Sequence, residues 1–138
     1  MWIYLGTFAV SIGLTVYGES LYKKKNKIGF AVCMMLAVLL VAVLSGVRDF
    51  SVGTDTDIYS GWIWATRTYD ANLLHALCRD SEPVFEGITY LAGHYFNGLQ
   101  SLLFLSALLT YAFVMAALAL LRDHIFLPYG WAANLFLF

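Results

Sequence analysis

The sequence has 138 residues, of which 61% are hydrophobic and 12% are charged, with a mean hydropathy of +0.73 and a net charge of −1. A soluble domain usually carries about 25% charged residues, so this composition excludes an ordinary soluble domain and predicts an integral membrane protein. The near-neutral charge also excludes the strongly basic surface by which proteins bind nucleic acid.

Four apolar runs predict an all-α integral membrane protein with three complete transmembrane helices and the start of a fourth. The complete spans are 2–18, 28–47 and 99–121. The second would be about 30 Å long as a helix, which matches the hydrocarbon core of a bilayer. The last run, 125–138, is shorter than a span, so we expect the chain to be the N-terminal part of a longer polytopic membrane domain.

A group of lysines between the first two runs predicts the orientation of the chain. Lys23, Lys24, Lys25 and Lys27 mark the cytoplasmic loop by the positive-inside rule. The N-terminus and the 48–98 segment are then extracytoplasmic. A cleaved signal peptide fits the first run poorly, because its positive charge would precede the apolar stretch rather than follow it.

The extracytoplasmic segment has the aromatic content and spacing of interfacial helices. Apolar and aromatic residues recur at helical spacing over 57–69 and again over 84–96. Tryptophan and tyrosine are favoured at the membrane–water interface. We therefore predict an outer loop that carries two amphipathic helices lying in the interface.

The stretch SGVRDFSVGTDTDIYSGW, residues 45–62, concentrates charge and hydroxyl groups directly after an apolar span. A snorkelling arginine and a helix cap would explain some of these residues, but not all of them. Asp55 and Asp57 also match the DxD pattern by which many glycosyltransferases hold a metal and a nucleotide sugar. Nucleotide sugars are cytoplasmic and this loop is predicted to lie outside, so we predict neither a metal nor a cofactor.

An apolar helix followed by this stretch, then by SEPVFEGITYLAGHYF and a further span, resembles the EpsG family of bacterial polysaccharide polymerases. The resemblance covers essentially the whole chain. The residues that match the family pattern are Arg48, Asp49, Gly53, Thr54, Asp55, Tyr59, Glu82 and Pro83.

The resemblance implies a multi-pass enzyme of the bacterial cytoplasmic membrane. Its members are Wzy-like polymerases of exopolysaccharide, capsule and O-antigen, and they join repeat units carried on undecaprenyl diphosphate at the outer leaflet. The partners implied are these lipid-linked glycans and the lipid bilayer, together with the chain-length regulator and flippase of the same pathway.

Transfer of a glycan from a lipid diphosphate needs a cation beside the leaving group and a base for the acceptor hydroxyl. An arginine can bind the diphosphate through two hydrogen bonds. The catalytic candidates are therefore Arg48 as the cation and Asp55 or Glu82 as the base. A tyrosine or tryptophan can stack on a sugar face, and an aspartate can orient the arginine. The candidate substrate-binding residues are Asp49, Gly53, Thr54, Tyr59 and Trp62.

Two other functions are compatible with a charged, aromatic outer loop. A flippase or export subunit would bind or translocate the same lipid-linked oligosaccharide without catalysis. Transporters usually carry charged or broken helices at mid-membrane, and the three predicted spans contain neither charge nor proline. In a purely structural membrane subunit we would expect an outer segment without clustered polar residues. The polar residues of 45–62 argue against this function.

Overall fold

The computed structural model describes residues 2–47, 56–69, 72–79, 82–96 and 98–137, and every regular element in these ranges is an α-helix. The prediction of an all-α chain is therefore confirmed for the described residues. The helices are α1 (Trp2–Lys23), α2 (Lys27–Gly46), α3 (Thr56–Tyr69), α4 (Leu73–Arg79), α5 (Pro83–Tyr95), α6 (Leu99–Leu120) and α7 (Leu127–Leu137).

Two helices among the described residues, α2 and α6, are long and apolar enough to cross a membrane. Large apolar side chains on α6 are left uncovered, including Phe113 at 69% and Leu120 at 83% exposure. Contiguous apolar surface of this kind needs a covering other than water, and lipid supplies one. The structure therefore supports a protein that is associated with a membrane.

The remaining predicted span, 2–18, corresponds to α1. This helix has 22 residues, but it is not apolar enough to count with α2 and α6 as a candidate membrane span. Serine, threonine, glycine and a glutamate interrupt its apolar side chains, and Ser11 and Thr15 are buried inside the protein rather than facing outward. Three complete spans, and the membrane orientation that depends on them, stay predictions. The helix at the predicted start of a fourth span, α7, begins at Leu127 and has 11 residues.

The described residues divide into two compact units, Met1–Leu44 with Leu108–Phe138, and Ser45–Ala107. The core of the first unit joins side chains of α1, α2, α6 and α7 around the fully buried Trp131. The indole Nε1 of Trp131 donates a hydrogen bond to the Ser11 hydroxyl at 2.9 Å. Ser11 in turn donates to the backbone carbonyl of Ala37 at 3.0 Å. Three helices are thereby joined by two buried hydrogen bonds.

A tight turn joins α1 to α2 where the sequence predicted the basic loop. Lys25 adopts a left-handed backbone conformation with φ of 62°. Asn26 then accepts a hydrogen bond from the Gly29 N–H through Oδ1 at 2.9 Å, which satisfies one of the free donors at the start of α2. The lysines therefore lie in the short turn between α1 and α2 and at its two ends.

In the second unit α5 packs against both α3 and α4. The apolar core of this unit contains Ile63, Ala92, Leu99 and Leu102. The link from α5 to α6 turns at Gly98, whose φ of 73° is accessible to glycine without strain. Its N–H donates to the Ala92 carbonyl at 3.1 Å, and α6 begins at the next residue.

The helices α3 and α5 lie within one residue of the predicted segments 57–69 and 84–96 at both ends. Between them the structure has a further helix, α4, which the sequence analysis did not predict. Among the described side chains of α4, only Ala76 is fully buried, and a Cβ on Gly87 of α5 would come within 3.1 Å of Leu77. The small residues Ala76 and Gly87 allow this close packing. The placement of α3 and α5 at a membrane interface stays a prediction.

Candidate functional site

Three aromatic rings of the second unit form a cluster between α3 and α5. The ring centroids of Tyr59 and Trp62 lie 5.5 Å apart, and that of Phe85 lies 6.3 Å from Tyr59 and 5.3 Å from Trp62. The Trp62 and Phe85 planes meet at 78°, an edge-to-face geometry that aromatic pairs favour. We call these three residues the aromatic cluster.

Local sequence rules explain why these rings meet. Tyr59 and Trp62 are three residues apart on α3 and so share one face of the helix. Pro83 occupies the first turn of α5, where its missing N–H and fixed φ are tolerated. Phe85 follows on the same first turn. The start of α5 therefore presents an aromatic side chain to the face of α3 that carries Tyr59.

Of the predicted site residues, the structure brings Tyr59 and Trp62 together. Glu82 immediately precedes α5 and is exposed. Its side chain makes no capping hydrogen bond to that helix within the described part of the chain. The carboxylate is therefore accessible from solvent, at the end of α5 that carries Phe85.

The other predicted site residues are Arg48, Asp49, Gly53, Thr54 and Asp55, and all five lie outside the described residues. Their proposed roles stay predictions from the sequence. The helix α3 begins at Thr56, within the acidic and hydroxyl-rich run 54–57. A capping role for a residue of this run stays a prediction.

The polar side chains buried around α3 and α5 were not singled out from the sequence. Thr66 and Thr89 are almost fully buried, and Glu86 in the first turn of α5 is 8% exposed. An acidic residue in the first turn interacts favourably with the positive end of the helix dipole. Because Glu86 is buried and Glu82 is exposed, Glu82 is the better placed of the two glutamates for contact with a substrate.

Arg67 was likewise missed, and it joins α3 to the end of α5. Its Nε donates a hydrogen bond to the Gly93 carbonyl, one of the last four carbonyls of α5, which have no partner within a regular helix. A cation at a helix C-terminus is also favoured by the helix dipole. The Arg67 side chain also packs closely against Gly93 and Gly98, where an added Cβ would lie at ordinary contact distances of 3.5 and 3.7 Å from it.

The last turn of α5 carries a histidine that contacts its own helix. The His94 ring stacks on that of Tyr90 with 4.2 Å between centroids, and its Nδ1 lies 3.3 Å from the Tyr90 carbonyl. In the described ranges, no group of three or more histidine, cysteine or acidic side chains could hold a metal ion. The side chains of Asp55 and Asp57, which form the DxD pattern, lie outside the described part of the chain.

Comparisons with known proteins give no independent assignment. The chain matches no protein-family profile, no curated protein and no solved structure.

Proposed function

We propose that this protein is a polysaccharide polymerase of the bacterial cytoplasmic membrane that joins oligosaccharide repeat units carried on undecaprenyl diphosphate. The observation that carries the proposal is the contact of Phe85 with Tyr59 and Trp62. Tyr59 belongs to the motif in 45–62, and Phe85 follows the Glu82–Pro83 pair. Tyr59, from the first part of the motif that resembles the EpsG family, therefore lies beside Phe85, which is two residues after Pro83 of the second part.

The proposed reaction is a transfer between two lipid carriers. A hydroxyl oxygen of the incoming repeat unit attacks the anomeric carbon of the growing glycan, and the bond from that carbon to the diphosphate oxygen breaks. The hydroxyl proton passes to a carboxylate, Asp55 or Glu82. Undecaprenyl diphosphate leaves as an anion, and Arg48 stabilises the negative charge that develops on it.

The aromatic cluster suits the sugar-binding part of this reaction. Trp62 is 43% exposed although its ring touches Phe85, so part of its surface remains open to a ligand. Tyr59 is half-buried, and its ring is held between Trp62 and Phe85. Rings fixed by their neighbours lose little conformational entropy on binding, which favours stacking on a sugar.

Complementation tests the proposal in cells. The gene that encodes this chain is expressed in a strain that lacks its polysaccharide polymerase, as wild type and as the variants Arg48→Ala, Arg48→Lys and Arg79→Ala. We expect wild type and Arg79→Ala to restore a ladder of glycan lengths on a gel. Arg48→Ala should leave single repeat units, and Arg48→Lys should restore little, because lysine lacks the planar fork of donors.

Two results would contradict the proposal. If Arg48→Ala is present at the protein level of wild type and gives a full ladder, Arg48 is not required for polymerisation. Repeat units that accumulate on the cytoplasmic side when the gene is deleted would identify a flippase or export subunit instead. Protein levels measured by immunoblot separate loss of activity from loss of the protein.

A further inference from the structure

The first unit contains an apolar groove between α2 and α6, distinct from the aromatic cluster. Its volume is about 570 Å³, which lies in the range of ligand pockets. The groove runs from Phe30 to Leu39 on α2 and from Leu108 to Ala119 on α6, and every lining side chain is apolar. Met35 on its wall is 64% exposed. The groove is therefore open to the surroundings of the two helices.

The length of the groove corresponds to one leaflet of a bilayer. At 1.5 Å per residue, the lining segments of α2 and α6 are about 14 and 17 Å long. The hydrocarbon core of a bilayer is about 30 Å thick. One acyl chain fits a groove of this length.

A cation lies at one end of this groove. The guanidinium carbon of Arg122 lies 3.4 Å from the centre of the Tyr22 ring and 5.9 Å from that of Phe30, which lines the groove. Arg122 also donates to the Tyr22 hydroxyl, and its side chain is 22% exposed. A guanidinium has five N–H donors, so donors remain for a further ligand.

The chain that follows Tyr22, the residue that Arg122 contacts, is basic. The turn after Tyr22 carries four lysines, Lys23, Lys24, Lys25 and Lys27. The acidic side chains of this region are Glu19, one turn before Tyr22, and Asp123, which lies 3.8 Å from Arg122 and is 84% exposed. An ion pair of 3.8 Å with an exposed carboxylate contributes little, so it leaves Arg122 able to attract an anion.

We propose that this groove binds a membrane phospholipid with an anionic headgroup. One acyl chain lies along the apolar groove, and the headgroup phosphate binds Arg122 and the lysines of the α1–α2 turn. Basic residues beside a membrane surface attract anionic headgroups, and basic pockets between membrane helices bind them selectively. This site is independent of the proposed polymerase chemistry, because none of its residues belongs to the motif in 45–62 or to the aromatic cluster.

Native mass spectrometry of the purified, detergent-solubilised protein tests the site with phosphatidylglycerol and phosphatidylcholine of identical acyl chains as probes. We expect phosphatidylglycerol to bind more tightly, and Arg122→Gln to weaken it about fivefold while Arg122→Lys largely retains it. Ala116→Trp, which fills the groove, should displace both lipids. Ala117→Trp is the matched control, because Ala117 is the neighbouring exposed residue and does not line the groove.

Equal binding of the two lipids by the wild-type protein would overturn the proposal, as would unchanged lipid binding by Ala116→Trp. If the wild-type protein is instead a dimer without bound lipid, and Ala116→Trp dissociates that dimer, a second copy of the chain occupies the groove. Circular dichroism of each variant establishes that it is folded. The Arg122→Gln comparison requires no change in the groove and therefore tests the charge independently of the tryptophan variants.

Discussion

The rings of Trp62 and Phe85 lie 5.3 Å apart, edge to face, although α4 separates the two residues along the chain. This contact joins α3 to the first turn of α5. It also places Trp62, a candidate substrate-binding residue, beside the first turn of α5, which contains Pro83 of the predicted motif. Measurements of stability and of activity on variants of Trp62 and Phe85 can therefore test the same contact.

The first prediction concerns the strength of that contact. In a double-mutant cycle of Trp62→Leu and Phe85→Leu, the free energies of unfolding should show a coupling of about 0.5 to 1.5 kcal/mol, because each substitution removes the same ring contact. Unfolding in mixed detergent micelles, followed by circular dichroism, measures it. A cycle of Trp62→Leu with Val84→Ala is the control, since Val84 is exposed. Equal coupling in both cycles would refute the specific contact.

Arg67 should hold the end of α5. Arg67→Ala removes its hydrogen bond to the Gly93 carbonyl and should lower the stability by about 1 kcal/mol. Amide hydrogen exchange should speed up at the last turn of α5 more than in α6. Thr68→Ala is the neighbouring control, because the Thr68 hydroxyl donates to the Trp64 carbonyl within α3. Unchanged exchange at the end of α5 would show that Arg67 does not cap it.

The buried hydrogen bonds of the first unit give a third prediction. Ser11→Ala removes the acceptor of the Trp131 indole and the donor to the Ala37 carbonyl, so it should cost about 0.6 to 2 kcal/mol. Trp131→Phe should add less to the cost in the Ser11→Ala background than in wild type. Thr7→Ala is the control, because the Thr7 hydroxyl donates to the Ile3 carbonyl within α1. Additive effects of Ser11→Ala and Trp131→Phe would contradict a shared hydrogen bond.

The α1–α2 turn gives a prediction of opposite sign. Lys25 has a positive φ, so Lys25→Gly should relieve backbone strain and raise the stability by about 1 kcal/mol. Lys24→Gly should lower it, because glycine there only increases the freedom of the unfolded chain. Thermal unfolding of the two variants side by side measures the difference. A loss of stability in Lys25→Gly would show that the turn is not strained at that residue.

The helices of the second unit show what the sequence could predict. Aromatic and apolar spacing located α3 and α5 to within one residue, because each helix has more than three turns of consistent pattern. The helix α4 has seven residues, Leu73–Arg79, which is too short for a periodic pattern to stand out. Its formation depends on packing against α5, and single-sequence periodicity contains no information about that packing.

The candidate site shows the same limit. Tyr59 and Trp62 could be grouped from the sequence because helical spacing places them on one face. Phe85 could not be added to them, since a contact between two helices depends on how the chain folds back. The role of Arg67 was hidden for the same reason, because the carbonyl that it binds belongs to Gly93 on a different helix.

The most direct test of the central claim is polymerisation by the purified protein. The product of the gene is reconstituted into liposomes and supplied with undecaprenyl-diphosphate-linked repeat units on both leaflets, without any other enzyme. We expect glycans longer than one repeat unit, with release of undecaprenyl diphosphate, and we expect neither from Arg48→Ala. Movement of single repeat units across the bilayer, without any longer glycan, would contradict the account and identify a translocator.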